Sequence, residues 1–508
     1  MYLRSSILLA TIVIVVISCN VVSFKPFGVR STARISSRTP FLLGATTQPS
    51  TSSSSNPVEL LQSIVNSLVE PVQFAAANNV RAQYISAMLL RFGFFLGQGV
   101  TLSLTGFDKS AAEQKPIDSV AVVNALRDAL TADSIEELGA PTKKDIEGAN
   151  ESEIQRSLFS RNFASIAALL RKELDHIENG VYKFPYDLDP TDPYASSQWK
   201  PFRVASKFNA YVNDRKRVFE RRDAKKGDEV TENFRGPKYP DYYLQNFHYQ
   251  TDGWLSSKSA KLYDYQVESL FLGTADAMRR QVLPSVSDFM KGKDPADVRV
   301  LDMATGTGRF ASFLMDNYRS LDLTVMDLSP FYLEEAKRLL KRFETVKYAE
   351  APCEDMPFED DSFDAITCVY LFHELPMDIR KKVLGEMNRV LKPGGKLFFV
   401  DSAQSGEVPF ERVLKGFTIS AHEPYYLDYT QMDLPAAMSE AGFTVDESGV
   451  HWVSKHITAT KSSSCSLHSS NPTTVPSTNA APSGINSSSS AQIPSVLDPP
   501  RSYNPYKK

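Results

Sequence analysis

The chain has 508 residues, a net charge of −4, and 23% charged and 42% hydrophobic side chains. That length carries two or three domains, and the near-neutral balance offers no basic surface for nucleic acid and no strongly acidic one for a cationic partner. Cys19, Cys353, Cys368 and Cys465 form no C-x-x-C pair and no His-linked spacing, so neither a metal site nor a disulfide framework is expected.

Met1–Ser23 has the form of a secretory signal: Arg4, the apolar run Ile7–Ile17, then small Ser23. The run is too short to favour a membrane span. Phe24-Lys25-Pro26-Phe27 opens a Ser-, Thr- and Arg-rich segment with no acid before Glu59, which is transit-peptide composition. Residues 1–23 and 24–57 together resemble the bipartite leader of algae with secondary, red-derived plastids. That resemblance implies a plastid location; the alternative is the ordinary secretory pathway.

From 58 to 180 the pattern is helical. Val58, Leu61, Val65 and Leu68 repeat at helical spacing before Pro71 interrupts. Tyr84–Leu96 is apolar nearly all round, with Arg91 inside it. A buried core helix suits its length, and peripheral membrane contact through 84–96 is the alternative. Asp118–Leu130 and Glu151–Ile177 add amphipathic helices, the second closed by Gly180. Together these predict a small all-α domain without chemistry of its own. Residues 181–240 read as an irregular, then basic linker, in which Arg215-Lys216-Arg217 and Arg221-Arg222 alternate with acids as on a solvated helix face. Aromatic and polar residues then crowd together from Tyr242 to Trp254. Tyr243, His248 and Trp254 are acceptor-side candidates, either in a lid over a ligand or in a packed cluster joining domains. Two helices follow, Ser259–Leu270 and Gly273–Leu283.

The stretch from Val298 to Pro330 carries the clearest signal. Val298–Asp302 reads as a buried strand, Ala304-Thr305-Gly306-Thr307-Gly308 as a tight turn, Arg309–Tyr318 as a helix, and Leu323–Met326 as a second strand ending on Asp327. Glycines at such a turn let the backbone approach a ligand, and the following helix aims free N–H groups at it. An acid at the next strand end sits where a ribose presents its hydroxyls. Gly306, Gly308 and Ala311 also satisfy the dinucleotide fingerprint G-x-G-x-x-A. Asp302, just before the turn, separates the two readings: a carboxylate repels a pyrophosphate but suits the cationic end of S-adenosylmethionine (AdoMet).

Downstream, Cys353-Glu354-Asp355-Met356-Pro357-Phe358, Asp361-Ser362-Phe363-Asp364-Ala365-Ile366 and Leu391-Lys392-Pro393-Gly394-Gly395-Lys396-Leu397 follow in order. With the glycine turn they resemble class I AdoMet-dependent methyltransferases of the methyltransferase-11 branch, near the quinone C-methyltransferases. The resemblance spans 242 to 461. Strands and helices alternate throughout, with strands at Val346–Ala349, Ala365–Tyr370 and Lys396–Asp401, a helix at Pro330–Phe343, and a closing pair at Thr444–Ser448 and Val453–Thr460. The expected fold is therefore α/β: a doubly wound, Rossmann-like sheet with a closing antiparallel pair, preceded by the helical domain. Residues 462–508 are Ser-, Asn- and Pro-rich, a disordered tail by composition.

By the resemblance, AdoMet is the cofactor. Ala304, Thr305, Gly306 and Gly308 would hold its methionine part, Asp302 its ammonium side, Asp327 its ribose and Leu328 its adenine. Relatives carry an adenine-accepting Asp where Pro352 stands here, which leaves the backbone N–H of Cys353 and the side chain of Glu354 for that edge. His373 follows the fourth strand and is the candidate general base; His422 and Tyr425 are candidates for the acceptor wall. The Leu-Arg-Asn signature of the quinone enzymes is replaced by Phe372-His373-Glu374-Leu375, so the acceptor reads only as a small or lipid-like molecule. Two other functions compete: a non-catalytic AdoMet-binding protein with the helices as interaction module, and a nucleotide-dependent oxidoreductase. Oligomeric state is not legible.

Overall fold

Seven strands make the central sheet, in the order β3-β2-β1-β4-β5-β7-β6. They are β1 (Arg299–Met303), β2 (Asp322–Asp327), β3 (Lys347–Glu350), β4 (Phe363–Val369), β5 (Leu391–Ser402), β6 (Phe443–His451) and β7 (Ser454–Lys461). Strands β1 to β5 are parallel, and β7 runs antiparallel between β5 and β6. This is the doubly wound sheet with a closing pair that the alternation predicts. The computed structural model describes residues 79–104, 119–131, 151–189, 192, 201–234, 236, 238–407 and 421–462. The predicted leader, the helix over Val58–Leu68 and the chain beyond 462 lie outside these residues.

Helices in chain order are α1 (Val80–Leu104), α2 (Ser119–Thr131), α3 (Glu151–Glu178), α4 (Pro201–Ala224), α5 (Glu229–Phe234), α6 (Ser257–Leu270), α7 (Ala275–Arg280), α8 (Leu283–Met290), α9 (Arg309–Asn317), α10 (Pro330–Leu340), α11 (Met377–Val390), α12 (Tyr426–Gln431) and α13 (Leu434–Glu440). Three features differ from expectation. The linker over 181–240 contains the 24-residue helix α4, whose Phe208, Tyr211 and Val212 pack against Phe95, Leu262 and Tyr265; the interleaved charges occupy its other sides. Helix α11 was not anticipated, although Ile379, Val383, Leu384, Met387 and Val390 bury one stripe of it. The Pro393-Gly394-Gly395 turn does not precede β5 but lies within it, as an irregularity where the register against β4 shifts between Phe363 and Ala365.

Parallel strands covered on both faces need continuous apolar runs, and Leu301, Met303, Leu323, Val325, Ile366 and Phe399 are fully buried. Each such side chain contributes about 1.5–3 kcal/mol. One face of the sheet carries α11 and α13. On the other, Tyr84, Leu89, Leu126 and Leu170 of the N-terminal helices join a single apolar core with Val282, Val298, Phe310 and Val325. The helical region is thus built onto the sheet. This also corrects the membrane alternative for 84–96: Tyr84, Met88, Leu89 and Phe92 already have apolar protein partners. No helix among the described residues is long and apolar enough to cross a membrane.

A buried charge network fixes that junction. Arg91 of α1 meets Asp187, Glu268 and Asp276 at 2.6, 2.9 and 2.8 Å. Arg280 of α7 pairs with Glu173 of α3 at 2.5 Å and Asp187 at 3.2 Å. Arg279 pairs with Asp276 at 2.7 Å. Arg309, the first residue of α9, reaches Asp187 at 3.0 Å and Asp276 at 2.5 Å. Four guanidiniums face four carboxylates, so the charges cancel, a requirement for burying so many.

Candidate active site

Strand order reverses at β1, with β2 and β3 on one side and β4 and β5 on the other. At such a switch point the crevice beyond the carboxyl ends of the strands is open to a ligand. A cleft of about 1060 Å³, open mouth included, occupies that place. Asp302, Ala304, Thr305, Gly306, Asp327, Leu328 and Cys353 all line it.

The turn is held from within. Asp302 is buried at the end of β1 and accepts hydrogen bonds from the hydroxyls of Thr305 (2.5 Å) and Thr367 (2.6 Å). Asp327, at the end of β2, accepts from the N–H of Gly306 and of Ser329, both at 2.8 Å. Burial outweighs these bonds in both cases and pushes each carboxyl up to about 6. The pair is therefore poised for a cationic ligand that favours the ionised forms.

The two glycines do different work. Gly306 has φ +56° and open space where a Cβ would be, facing the cleft. Gly308 (φ +76°) is not among the lining residues; a Cβ there would come within 3.1 Å of Ala336 and Leu340 of α10. That close approach gives Gly308 a packing role. Glu354 also stands back from the cleft: its Oε1 accepts from the Tyr242 hydroxyl at 2.7 Å, and it is Tyr242 that lines the wall. Burial pushes the Cys353 thiol up, so it is no nucleophile.

The rest of the lining is largely aromatic. Tyr243, Phe247, Trp254, Tyr263, Tyr332 and Tyr370 contribute to it, with Arg279, Arg309 and Glu374 as charged members. Phe247 stacks on Trp254 at 5.7 Å, and Trp254 meets Tyr263 and Tyr332 edge-on. The crowded segment at Tyr242–Trp254 is thus wall and packing cluster at once. It is bought with strained backbone: His248 and Tyr249 take φ of +54° and +52°, at about 1 kcal/mol or more each for non-glycine residues.

A methyltransferase domain model matches residues 300–395. A ubiquinone/menaquinone biosynthesis C-methyltransferase from Desulfotalea psychrophila is 35% identical over 142 residues, 28% of this chain and 53% of its own. The chain spans 53% and 64% of the first two curated relatives it matches. A SAM-dependent methyltransferase of known structure from Aquifex aeolicus aligns over 39% of this chain and 97% of its own, at 19% identity and a TM-score of 0.30. The namesake C-methyltransferase of Rhizobium rhizogenes is 30% identical over 210 residues, 37% of this chain and 79% of its own length. The chain belongs to the class I AdoMet-dependent methyltransferases. Its relatives are quinone C-methyltransferases, and AdoMet is its cofactor.

The acceptor-side candidates divide. Tyr243 and Trp254 line the cleft, whereas His248, His422 and Tyr425 do not. His422 packs its ring on Tyr249 at 5.0 Å, and Tyr425 accepts from Gln245 at 2.8 Å. His373 is the candidate general base. His373 is not among the lining residues; its Nδ1 lies 2.6 Å from Asp401, a fully buried carboxylate at the end of β5. Burial disfavours the imidazolium, but Asp401 more than compensates and pushes the ring up to about 9. Near neutral pH that imidazole already holds the proton a base would accept. The neighbouring Glu374 is the residue that faces the cleft. The two side chains stay close, His373 Nε2 lying 3.6 Å from Glu374 Oε1, and sequence alone does not say which one lines the cleft.

Proposed function

We propose that the protein transfers a methyl group from AdoMet to a small, aromatic, lipid-like acceptor of the quinol class. The observation that supports this most is the continuity of the cleft: the acidic turn at Asp302 and Asp327 runs without a break into the wall of Tyr243, Trp254 and Tyr263. Aromatic faces attract a sulfonium and stack on a flat ring. The chemistry asks mainly for alignment, because sulfur is a good leaving group. A ring carbon forms the new bond to the methyl, the carbon–sulfur bond breaks, and the ring loses a proton. Relatives named for quinone C-methylation support the acceptor class. The test is transfer of label from methyl-tritiated AdoMet to short-chain demethylmenaquinol by the full chain. Label in the quinol supports the reading. AdoMet binding without transfer to any quinol or phenol would make this an AdoMet-binding protein instead.

We also propose delivery to a plastid, on the strength of Ile7–Ile17 followed by Phe24 and an acid-free segment. A fluorescent fusion of residues 1–57 should enter the plastid, and Phe24→Ala should stall it outside. Secretion of the intact fusion would contradict this.

A further inference from the structure

Beside the aromatic wall, three side chains from distant parts of the chain converge. His248 comes from the strained turn, Glu374 from the segment after β4, and Glu423 from the residues just before α12. One ligating atom of each lies within 4.8 Å of those of the other two. His248 Nδ1 is 2.9 Å from Glu423 Oε1, and Nε2 is 3.3 Å from Glu374 Oε1. The Glu423 side chain is fully buried, with 0% exposure. Apart from this His248 contact neither of its oxygens has a hydrogen-bond partner, and Glu374 Oε2 is likewise buried without one.

Buried carboxylates are ordinarily saturated with donors, paired with cations, or bound to a metal. Here a single imidazole stands between two of them. Among the described residues no Arg or Lys comes within ion-pair distance of either. The adjoining His373 is already paired with Asp401, at 2.6 Å. With both carboxylates ionised, even an imidazolium at His248 leaves this triad one negative charge in excess.

We propose that His248, Glu374 and Glu423 bind one divalent first-row cation, Zn²⁺ or Mn²⁺. Two carboxylates and a neutral imidazole cancel its charge. An imidazole–carboxylate set without thiolate suits these ions. Three protein ligands leave a coordination position open, as in catalytic sites. Glu374 belongs both to this triad and to the wall of the cleft. The open position would thus serve an oxygen of the methyl acceptor, a use that rests on the methyl-transfer reading, whereas the binding itself does not.

The test is isothermal titration of the chelator-stripped full chain with ZnCl₂ and, separately, MnCl₂. Saturable uptake of one ion per chain is expected. Glu423→Gln and Glu374→Gln should each weaken it about 100-fold or more, with folding checked by circular dichroism; His248→Asn serves where a glutamine variant does not fold. Absence of saturable uptake of both ions, or equal uptake by wild type and variants, would overturn the proposal. A parallel AdoMet titration keeps the two readings apart: a chain that takes up the ion but not AdoMet contradicts methyl transfer and leaves the metal site standing.

Discussion

Two buried charge clusters flank the cofactor cleft, and they are built on opposite rules. Behind the glycine turn, Arg91, Arg279, Arg280 and Arg309 face Glu173, Asp187, Glu268 and Asp276, four against four. On the acceptor side, His248 and His373 face Glu374, Asp401 and Glu423, two against three. Burial demands neutrality. The first cluster meets that demand internally and so reads as architecture, a clamp between the N-terminal helices and α9. The second, with all three carboxylates ionised, does not, and an unmet charge at the edge of a cleft is where a ligand, a proton or an ion belongs.

The comparison breaks most easily at its balanced end. Asp276 contacts Arg91, Arg279 and Arg309 at once. Asp276→Ala would leave three buried guanidiniums short of an anion and should cost about 3–5 kcal/mol, read as a lowered midpoint in urea denaturation. A loss under about 1 kcal/mol would mean that the network is solvated and clamps nothing.

On the other side, His373→Ala removes the cation from Asp401, which keeps its hydrogen bonds from the N–H groups of Phe372 and Ser402. The cost should be smaller, about 2–3 kcal/mol. AdoMet affinity should change little, because His373 stands off the cleft. An AdoMet Kd raised tenfold with stability intact would return His373 to the site.

A third effect, read by pH, belongs to the acidic turn of the cleft and to neither cluster. Asp302 and Asp327 have folded-state values raised from the ordinary carboxylate range to about 6. In the free protein, the stability they contribute is fully present below about pH 4 and is lost as pH rises through 6. AdoMet needs both ionised, so its binding should release protons near pH 6. Between pH 8 and pH 5 the Kd should rise about tenfold for each group that must ionise. A flat profile over that range would show that neither carboxylate meets the cofactor.

How much of this was legible in the chain follows from which interactions are local. Strand, turn, helix and terminal acid succeed one another within Val298–Asp327, so the cofactor half could be read from spacing. The buried runs at Leu301 and Val325 likewise announced the sheet. The charge clusters could not be read, because their members lie far apart in sequence: Arg91 and Arg309 share Asp276, and His248 meets Glu423. A metal was not expected for the same reason, since no spacing links His248, Glu374 and Glu423. The linker reading of 181–240 failed because the charges of α4 outnumber the apolar residues that mark its buried side.

The central claim is that the acidic turn binds AdoMet through Asp327, and calorimetric titration of the full chain tests it most directly. The account predicts saturable binding of AdoMet, a loss of about 2–4 kcal/mol in Asp327→Ala from two charge-assisted bonds to the ribose hydroxyls, and no binding of NAD or NADP. Binding of NAD in place of AdoMet, or an Asp327→Ala variant that binds AdoMet as well as the wild type, would contradict it.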